Sequence, residues 1–363
     1  METQSLKNIL NLLMVAVEKK AVVSQYDHYV FYNKAISTFN GKIFISHPID
    51  LDLDCSVVAE DLFNIIKTVD DANVDLEVSE GKLYIKSNDV MAELSTDVFE
   101  DKVVQTIKTL DVAGYDWIKQ SKNVPEDFID GLNDCRFSTS KDASCQFNSN
   151  CIHVIDNAIE STDRFRCTEY LMKDVMEEML IPSSSVGALI SFNPIVYIKD
   201  QGWVHFQDAD EVTFSVAIRD GAFPDISKII SNSEPEFEIA LPSQISNVLS
   251  EFAKLSSGET EVFKSMEIKI VGENLTCKTT KLGCSVKKVI PFPGKRKSVT
   301  FNISPSLLNS VLSKTNTIGI NHTNMIASFH TSVFTHIVSM PDNADDKETE
   351  VRKDTGTGED VPF

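Results

Sequence analysis

The residues able to do chemistry are few, and their spacing is poor for it. His322, His330 and His336 come closest together, in runs that alternate like strands. On one strand His330 and His336 share a face but stand ~20 Å apart, too far to hold one metal ion. The acidic run Asp208-Ala209-Asp210-Glu211 offers hard-cation ligands. It lacks the loop glycine and ligand periodicity of a calcium loop, and reads as a solvated turn. Asp163 and Asp225 are carboxylates suited to hydrolysis of carbohydrate or nucleic acid, yet one borders a strand and the other a proline-fixed turn, with no base partner identifiable. No phosphate-cradling glycine loop, zinc-protease, serine-nucleophile or EF-hand pattern occurs. The cysteines (Cys55, Cys135, Cys145, Cys151, Cys167, Cys277, Cys284) are odd in number, scattered and never spaced CxxC. They read as buried reduced thiols rather than a zinc site or disulfide framework. The expectation is a protein that is not an enzyme and needs no metal or cofactor.

Charge is the second chemical feature. The formal net charge is −20, which alone opposes a polyanionic partner, because neutralising phosphates takes basic surface. Net charge does not say where the charges lie. Acids cluster in loops and strand ends, as in Asp50-Leu51-Asp52-Leu53-Asp54, whereas lysines recur on helical stretches: Lys7, Lys19 and Lys20 on the first, Lys67 on the second, Lys254 on the fifth, Lys314 on the sixth. If those helices face one way, an acidic chain presents one basic surface. The competing reading is a set of ordinary solvated helix faces.

The elements that must position these groups recur roughly every 60 residues. Helical openings fall at Ser5-Leu6, Ala59-Glu60, Pro125-Glu126, Pro182-Ser183, Pro242-Ser243 and Ser304-Pro305, each with proline or a small oxygen-bearing or acidic residue where first-turn amides lack partners. After the second helix of each block comes a hairpin-like pattern: Val74–Val78 with Leu83–Lys86, Ile195–Ile198 with Trp203–Phe206, and Met266–Val271 with Leu275–Lys278. The fold class is α+β, three repeated blocks each of two helices on antiparallel sheet. The blocks span 1–110, 111–232 and 233–341, followed by an acidic tail, 342–363. No apolar run reaches the ~18 residues of a membrane span, and Met1-Glu2-Thr3-Gln4 lacks the basic start of a signal peptide, so a cytoplasmic location is expected.

Three segments carry a resemblance. Gly221-Ala222-Phe223-Pro224-Asp225-Ile226-Ser227-Lys228-Ile229-Ile230 is similar to the G-x-F-P-D-[YI]-x-x-[IV]-[IL] segment between the second and third domains of bacterial sliding clamps. Glu160-Ser161-Thr162-Asp163-Arg164-Phe165-Arg166 resembles their A-T-D-G-[HY]-R segment, and Val333 to Pro341 resembles their closing strand ending in M-P. The likeness covers roughly residues 5 to 341. Departures are Arg164 at the family's glycine, Phe165 at its histidine or tyrosine, Ser231 at a proline, and the continuation beyond Pro341. Such divergence suits a phage-encoded clamp with its own polymerase.

The resemblance implies a DNA polymerase processivity factor: a head-to-tail homo-oligomer, in this family a dimer, whose ring encircles duplex DNA without reading sequence and tethers the polymerase. It implies helices lining the hole, with Lys7, Lys19, Lys20, Lys67, Lys254 and Lys314 toward DNA. It implies a pocket for peptides of the polymerase and clamp loader at Thr162, Phe165, Arg166, Cys167, Ile230, Val338, Met340 and Pro341. Phe99, Phe252 and Leu255 match the family's oligomer interface. The alternative is a clamp-fold scaffold or decoy that never encircles DNA.

Overall fold

Leu6, Ile9, Leu10 and Leu13 recur at helical spacing, and helix α1 (Thr3–Leu13) buries all four on one face. The C-terminal carbonyls of a helix lack internal partners. Here Tyr29 Oη donates to the Leu10 carbonyl at 2.8 Å and Thr38 Oγ1 to the Leu13 carbonyl at 2.9 Å, so neighbouring strands close the helix end. The same logic builds α2 (Ala59–Thr68), α4 (Phe128–Cys135), α5 (Ser183–Ile190), α7 (Ile245–Leu255) and α8 (Pro305–Val311). All six expected helices therefore form. At α8, Pro305 takes the first position and Ser304 Oγ accepts from the Leu307 amide at 3.5 Å. Two short helices, α3 (Trp117–Gln120) and α6 (Ser227–Ser231), join them. The helices pack in pairs, α1 on α2, α4 on α5 and α7 on α8.

These elements come from a computed structural model, which describes residues 1–23, 25–97, 110, 116–142, 146–255, 265–281 and 284–341. The expected interface residue Phe99 and the tail 342–363 lie outside the described residues. Among the described residues no helix is long and apolar enough to cross a membrane.

The chain divides into two compact units. The first comprises Met1–Arg136, Cys145–Ile159 and Met172–Phe223; the second comprises Phe137–Ser144, Glu160–Leu171 and the chain from Pro224 onward. In the first, β1 (His28–Tyr32), β2 (Ala35–Phe39), β3 (Ile43–Pro48) and β4 (Cys55–Val58) join β8 (Lys122–Asn123), β11 (Val196–Asp200), β12 (Trp203–Gln207) and β13 (Thr213–Ala217) in one eight-stranded sheet. Its order is β4-β1-β2-β3-β13-β12-β11-β8. The seam is β3 against β13, with Phe214 opposite Ile45 and Ser215 opposite Phe44. A three-stranded sheet of β5 (Asp75–Ser79), β6 (Lys82–Lys86) and β7 (Met91–Ser95) also belongs to this unit. A six-stranded sheet runs β14-β17-β18-β19-β10-β9, from β14 (Phe237–Ala240), β17 (Thr317–Asn321), β18 (Ile326–His330), β19 (Phe334–Ser339), β10 (Arg166–Pro182) and β9 (Cys151–Thr162). Strands β15 (Met266–Lys281) and β16 (Cys284–Ile303) pair with each other.

Two of the three expected hairpins form: β5–β6 turns on Glu80-Gly81 and β11–β12 on Gln201-Gly202, all four residues at positive φ, as two-residue hairpins require. The third does not. Residues 266–281 form one continuous strand, and Gly272, at φ 60°, sits in a β-bulge instead of a turn. The bulge explains the misleading pattern: Met266, Ile268 and Ile270 are buried before it and Leu275, Cys277 and Thr279 after it, so it reverses strand parity and keeps the same face inward. The expected single strand through His330 and His336 is likewise a hairpin, β18–β19, with Phe329 opposite His336; His336 is buried and His330 exposed. Cys55, Cys135, Cys151, Cys167 and Cys277 are buried free thiols.

Candidate peptide-binding pocket

Strand β9 ends at Thr162 and β10 begins at Arg166, so Asp163, Arg164 and Phe165 must reverse the chain. Short oxygen-bearing side chains hold such turns because they reach amides two or three residues on. Thr162 Oγ1 donates to the Arg166 carbonyl at 2.8 Å and accepts from the Arg164 amide at 3.1 Å. Asp163 Oδ1 accepts from the amides of Phe165 and Arg166, each at 3.1 Å, and its Oδ2 accepts from Arg166 Nε at 2.9 Å. Arg166 is further fixed by Ser310 Oγ at 3.3 Å and by the Phe137 ring, 5.4 Å from its guanidinium carbon. Arg164 adopts φ 78°, a left-handed conformation. This is the position where the clamp turn has glycine, which takes that conformation freely, whereas a side chain there costs ~1–2 kcal/mol.

The turn leads into a strand pair whose two faces do different things. Cys167 stands opposite Ile337 and Thr168 opposite His336 in the β10–β19 register. Strand side chains alternate, so the first pair faces one side and the second the other. On the second side Ser138 Oγ lies 2.5 Å from Thr168 Oγ1, which lies 2.8 Å from His336 Nδ1. Burial, with a contribution from the Arg166 charge, pushes the His336 pKa down to about 3, so it is a neutral core histidine. On the first side Cys167 and Ile337 form part of a cavity of about 260 Å³. Burial pushes the Cys167 thiol up to about 12, which makes it a packing group and not a nucleophile.

The remaining wall comes from the Phe-Pro-Asp segment. Asp225 Oδ1 accepts from the Ser227 amide at 3.1 Å and from its hydroxyl at 2.5 Å, starting α6. These bonds, the hydroxyl's first, hold the Asp225 carboxyl below its ordinary range. Pro224, Asp225, Ile226 and Ile229 line the cavity together with Ile326, Ile337 and Ser339. Mostly apolar walls with a few fixed polar groups suit a peptide anchored by apolar side chains.

Of the eight expected pocket residues, Thr162, Phe165, Arg166 and Cys167 line this cavity, and Ile230, Val338, Met340 and Pro341 do not. Their neighbours Ile229, Ile337 and Ser339 take those places. On β19 the reason is parity: Val338 lies one residue out of phase with Ile337 and is fully buried, and Met340 is also buried. Arg164, noted in the sequence only as a departure, is exposed on the rim. Among the described residues neither Asp163 nor Asp225 is bonded to a histidine or a second carboxylate that could act as its catalytic partner; each is occupied by its own turn, Asp163 with Arg166.

The expected DNA-facing lysines fall in three classes. Lys67 and Lys254 are exposed on α2 and α7, and Lys67 Nζ stands 4.0 Å over the Phe63 ring. Lys7 lies on α1, but its Nζ donates to the Val69 carbonyl at 2.7 Å and so closes the end of α2. Lys19 and Lys20 are not on the first helix: the chain leaves it through a 3-10 turn, Met14–Ala16, and both lysines are exposed beyond Val17. Lys314 is exposed in the turn after α8. Phe252 is 1% exposed, committed to the core of its own unit, whereas Leu255 is 41% exposed.

No protein-family model and no curated protein matches the chain. Solved structures do. The DNA polymerase III subunit beta of Pseudomonas aeruginosa is similar at TM-score 0.76 and 14% identity, covering 94% of this chain and 99% of that one. The Helicobacter pylori beta clamp bound to a DNA ligase peptide is similar at TM-score 0.73 and 15% identity, with the same coverage of 94% and 99%. The sliding clamp of Bartonella birtlesii bound to griselimycin gives TM-score 0.76 at 12% identity, over 94% of this chain and 98% of that one. The chain therefore has the fold of the bacterial DNA polymerase III beta sliding clamps.

Proposed function

We propose that the protein is a sliding clamp, a non-enzymatic processivity factor that encircles duplex DNA and tethers a DNA polymerase through the pocket at the Thr162–Cys167 turn. The observation that carries this reading is the coincidence of two things: clamp fold over 94% of the chain, and a formed apolar cavity at the segments that resemble the clamp motifs. The Helicobacter pylori clamp was solved with a DNA ligase peptide bound, which supports peptides as the ligand class here. The three blocks, 1–110, 111–232 and 233–341, belong to the reading, supported by one packed helix pair in each. So do a head-to-tail homodimer, loading by a clamp loader, action in the cytoplasm where DNA is copied, and a phage origin. Phosphate contacts from lysines would hold DNA without reading bases, which permits sliding. An acidic exterior would keep DNA from adhering outside.

Retention on circular against nicked-and-cut linear DNA, with the mass in solution, tests it. A ring stays on closed circles, leaves linear ends, and has twice the chain mass. Equal loss from both templates would instead favour the clamp-fold scaffold or decoy.

A further inference from the structure

Three charged side chains line the cavity, and two of them are already engaged. Arg166 is paired with Asp163 at 2.9 Å, and the Asp225 carboxylate is held by the amide and hydroxyl of Ser227. The third, Arg164, has its guanidinium on the rim with no hydrogen-bond or ion-pair partner among the described residues, and its backbone is held at φ 78°. A peptide filling this cavity therefore meets apolar walls and one uncompensated cation.

Residues 342–363 lie outside the described residues; their sequence holds eight acidic and three basic residues and closes with Gly358-Glu359-Asp360-Val361-Pro362-Phe363. Two carboxylates directly before three apolar residues match the cavity in charge and in kind. The connection also fits. Ser339 lines the cavity, and the ~18 residues from Pro341 to Glu359 span roughly 20–25 Å as a flexible chain, enough to return to a site beside their own origin.

We propose that the cavity takes an acidic–apolar peptide and that the chain's own Glu359–Phe363 is its resident occupant, with carboxylates toward Arg164 and apolar side chains against Phe165, Cys167 and Ile337. This rests on the peptide-pocket part of the clamp reading. Tethered at an effective concentration of order 1 mM, the segment competes with partner peptides, so only a tighter binder displaces it. The pocket is self-shielded until such a partner arrives.

The test uses the full chain and a fluorescein-labelled synthetic peptide, Gly358–Phe363. Binding is compared in the unaltered protein and in a V361S/F363S double variant of the full chain. The double variant should bind the free peptide about tenfold more tightly, because its own segment no longer competes. Placed in the V361S/F363S chain, where the resident segment no longer competes, R164E, and the milder R164Q should R164E melt early, should weaken peptide binding at least tenfold at low salt, and that difference should shrink at high salt. Equal affinity in the unaltered and V361S/F363S chains overturns the resident-occupant proposal while leaving a peptide pocket in place. No binding to either chain overturns both. Retention on circular DNA judges the clamp reading independently of these outcomes.

Discussion

Asp163 and Arg166 face each other across a three-residue turn with Oδ2 and Nε 2.9 Å apart, and their side chains are only 13% and 11% exposed. The same carboxylate accepts the Phe165 and Arg166 amides, so one side chain both neutralises a nearly buried cation and shapes the pocket edge. Removing one partner of such a pair leaves an uncompensated charge, at a cost of ~3–5 kcal/mol. Asp163→Ala should therefore lower the urea midpoint markedly and abolish peptide binding. Asp163→Asn, which keeps an acceptor oxygen, should recover part of the stability. A variant as stable as the parent would show that water replaces the carboxylate.

Arg164→Gly should act in the opposite direction on stability and the same direction on binding. Relief of the left-handed strain is worth ~1–2 kcal/mol; glycine's greater unfolded-state freedom removes up to ~1 kcal/mol of that gain. The expected net is a small rise in melting temperature together with weaker binding of an acidic peptide. Stability and affinity falling together would mean that Arg164 makes a packing contact beyond the rim.

How much of this was legible in sequence depended on whether the information was local. The six helices follow from spacing within single segments, such as Ile245, Val248, Leu249 and Phe252 on α7, and all six formed. The β5–β6 and β11–β12 hairpins follow from a Glu-Gly or Gln-Gly pair between alternating runs. What stayed hidden was set by partners far along the chain. Gly272 looks like a turn residue, but pairing with β16 makes it a bulge. Val338 and Ile337 are both apolar, and only the register against Cys167 says which one meets the cavity. Lys19 and Lys20 left the helix because the chain unwinds after Leu13, with no proline or glycine to announce it.

Acid should destabilise the protein before its carboxylates protonate. Burial lowers the His205 pKa to about 4, with Nδ1 2.7 Å from Ser215 Oγ, and His336 is lowered further, to about 3. An unfolded histidine titrates near 6.5. Above that pH both states are neutral and nothing is lost. As pH falls from about 6.5 to 4, the unfolded chain takes up protons that the folded chain refuses, and stability declines by up to ~3 kcal/mol per such site. Urea melts from pH 7.5 to 4.5 should show this slope, and His205→Gln should reduce but not remove it, since His336 contributes with the same sign. An unchanged slope in that variant would place the titration elsewhere.

Reversing Lys19, Lys20, Lys67 and Lys254 to Glu should impair loading and retention on circular DNA while keeping the fold, because all four are exposed. The melting temperature should fall only modestly, since an acid in the last turn of α2 or α7 costs ~0.3–1 kcal/mol. Lys7 is left out because its bond to the Val69 carbonyl gives it a structural role. Single reversals should matter little, each phosphate contact being one of many. Full processivity with all four reversed would favour the scaffold.

The last turn of α7 separates an exposed residue from a core residue that the sequence pattern places side by side. Phe252 is 1% exposed, so Phe252→Ala would cost ~3–5 kcal/mol of folding energy and report nothing about assembly. Leu255, 41% exposed, is the useful probe. A charge there should oppose an apolar contact with a second copy and shift the solution mass from twice the chain mass toward once. Leu255→Asp alone is ambiguous, because an acid at a helix C-terminus is itself unfavourable by ~0.3–1 kcal/mol, whereas a lysine at that end is favourable. Leu255→Lys removes the ambiguity. Both variants dissociating, with the Lys variant at unchanged melting temperature, would place Leu255 in the interface. Dissociation by Asp alone would be a folding effect, and two intact dimers would move the contact away from this helix.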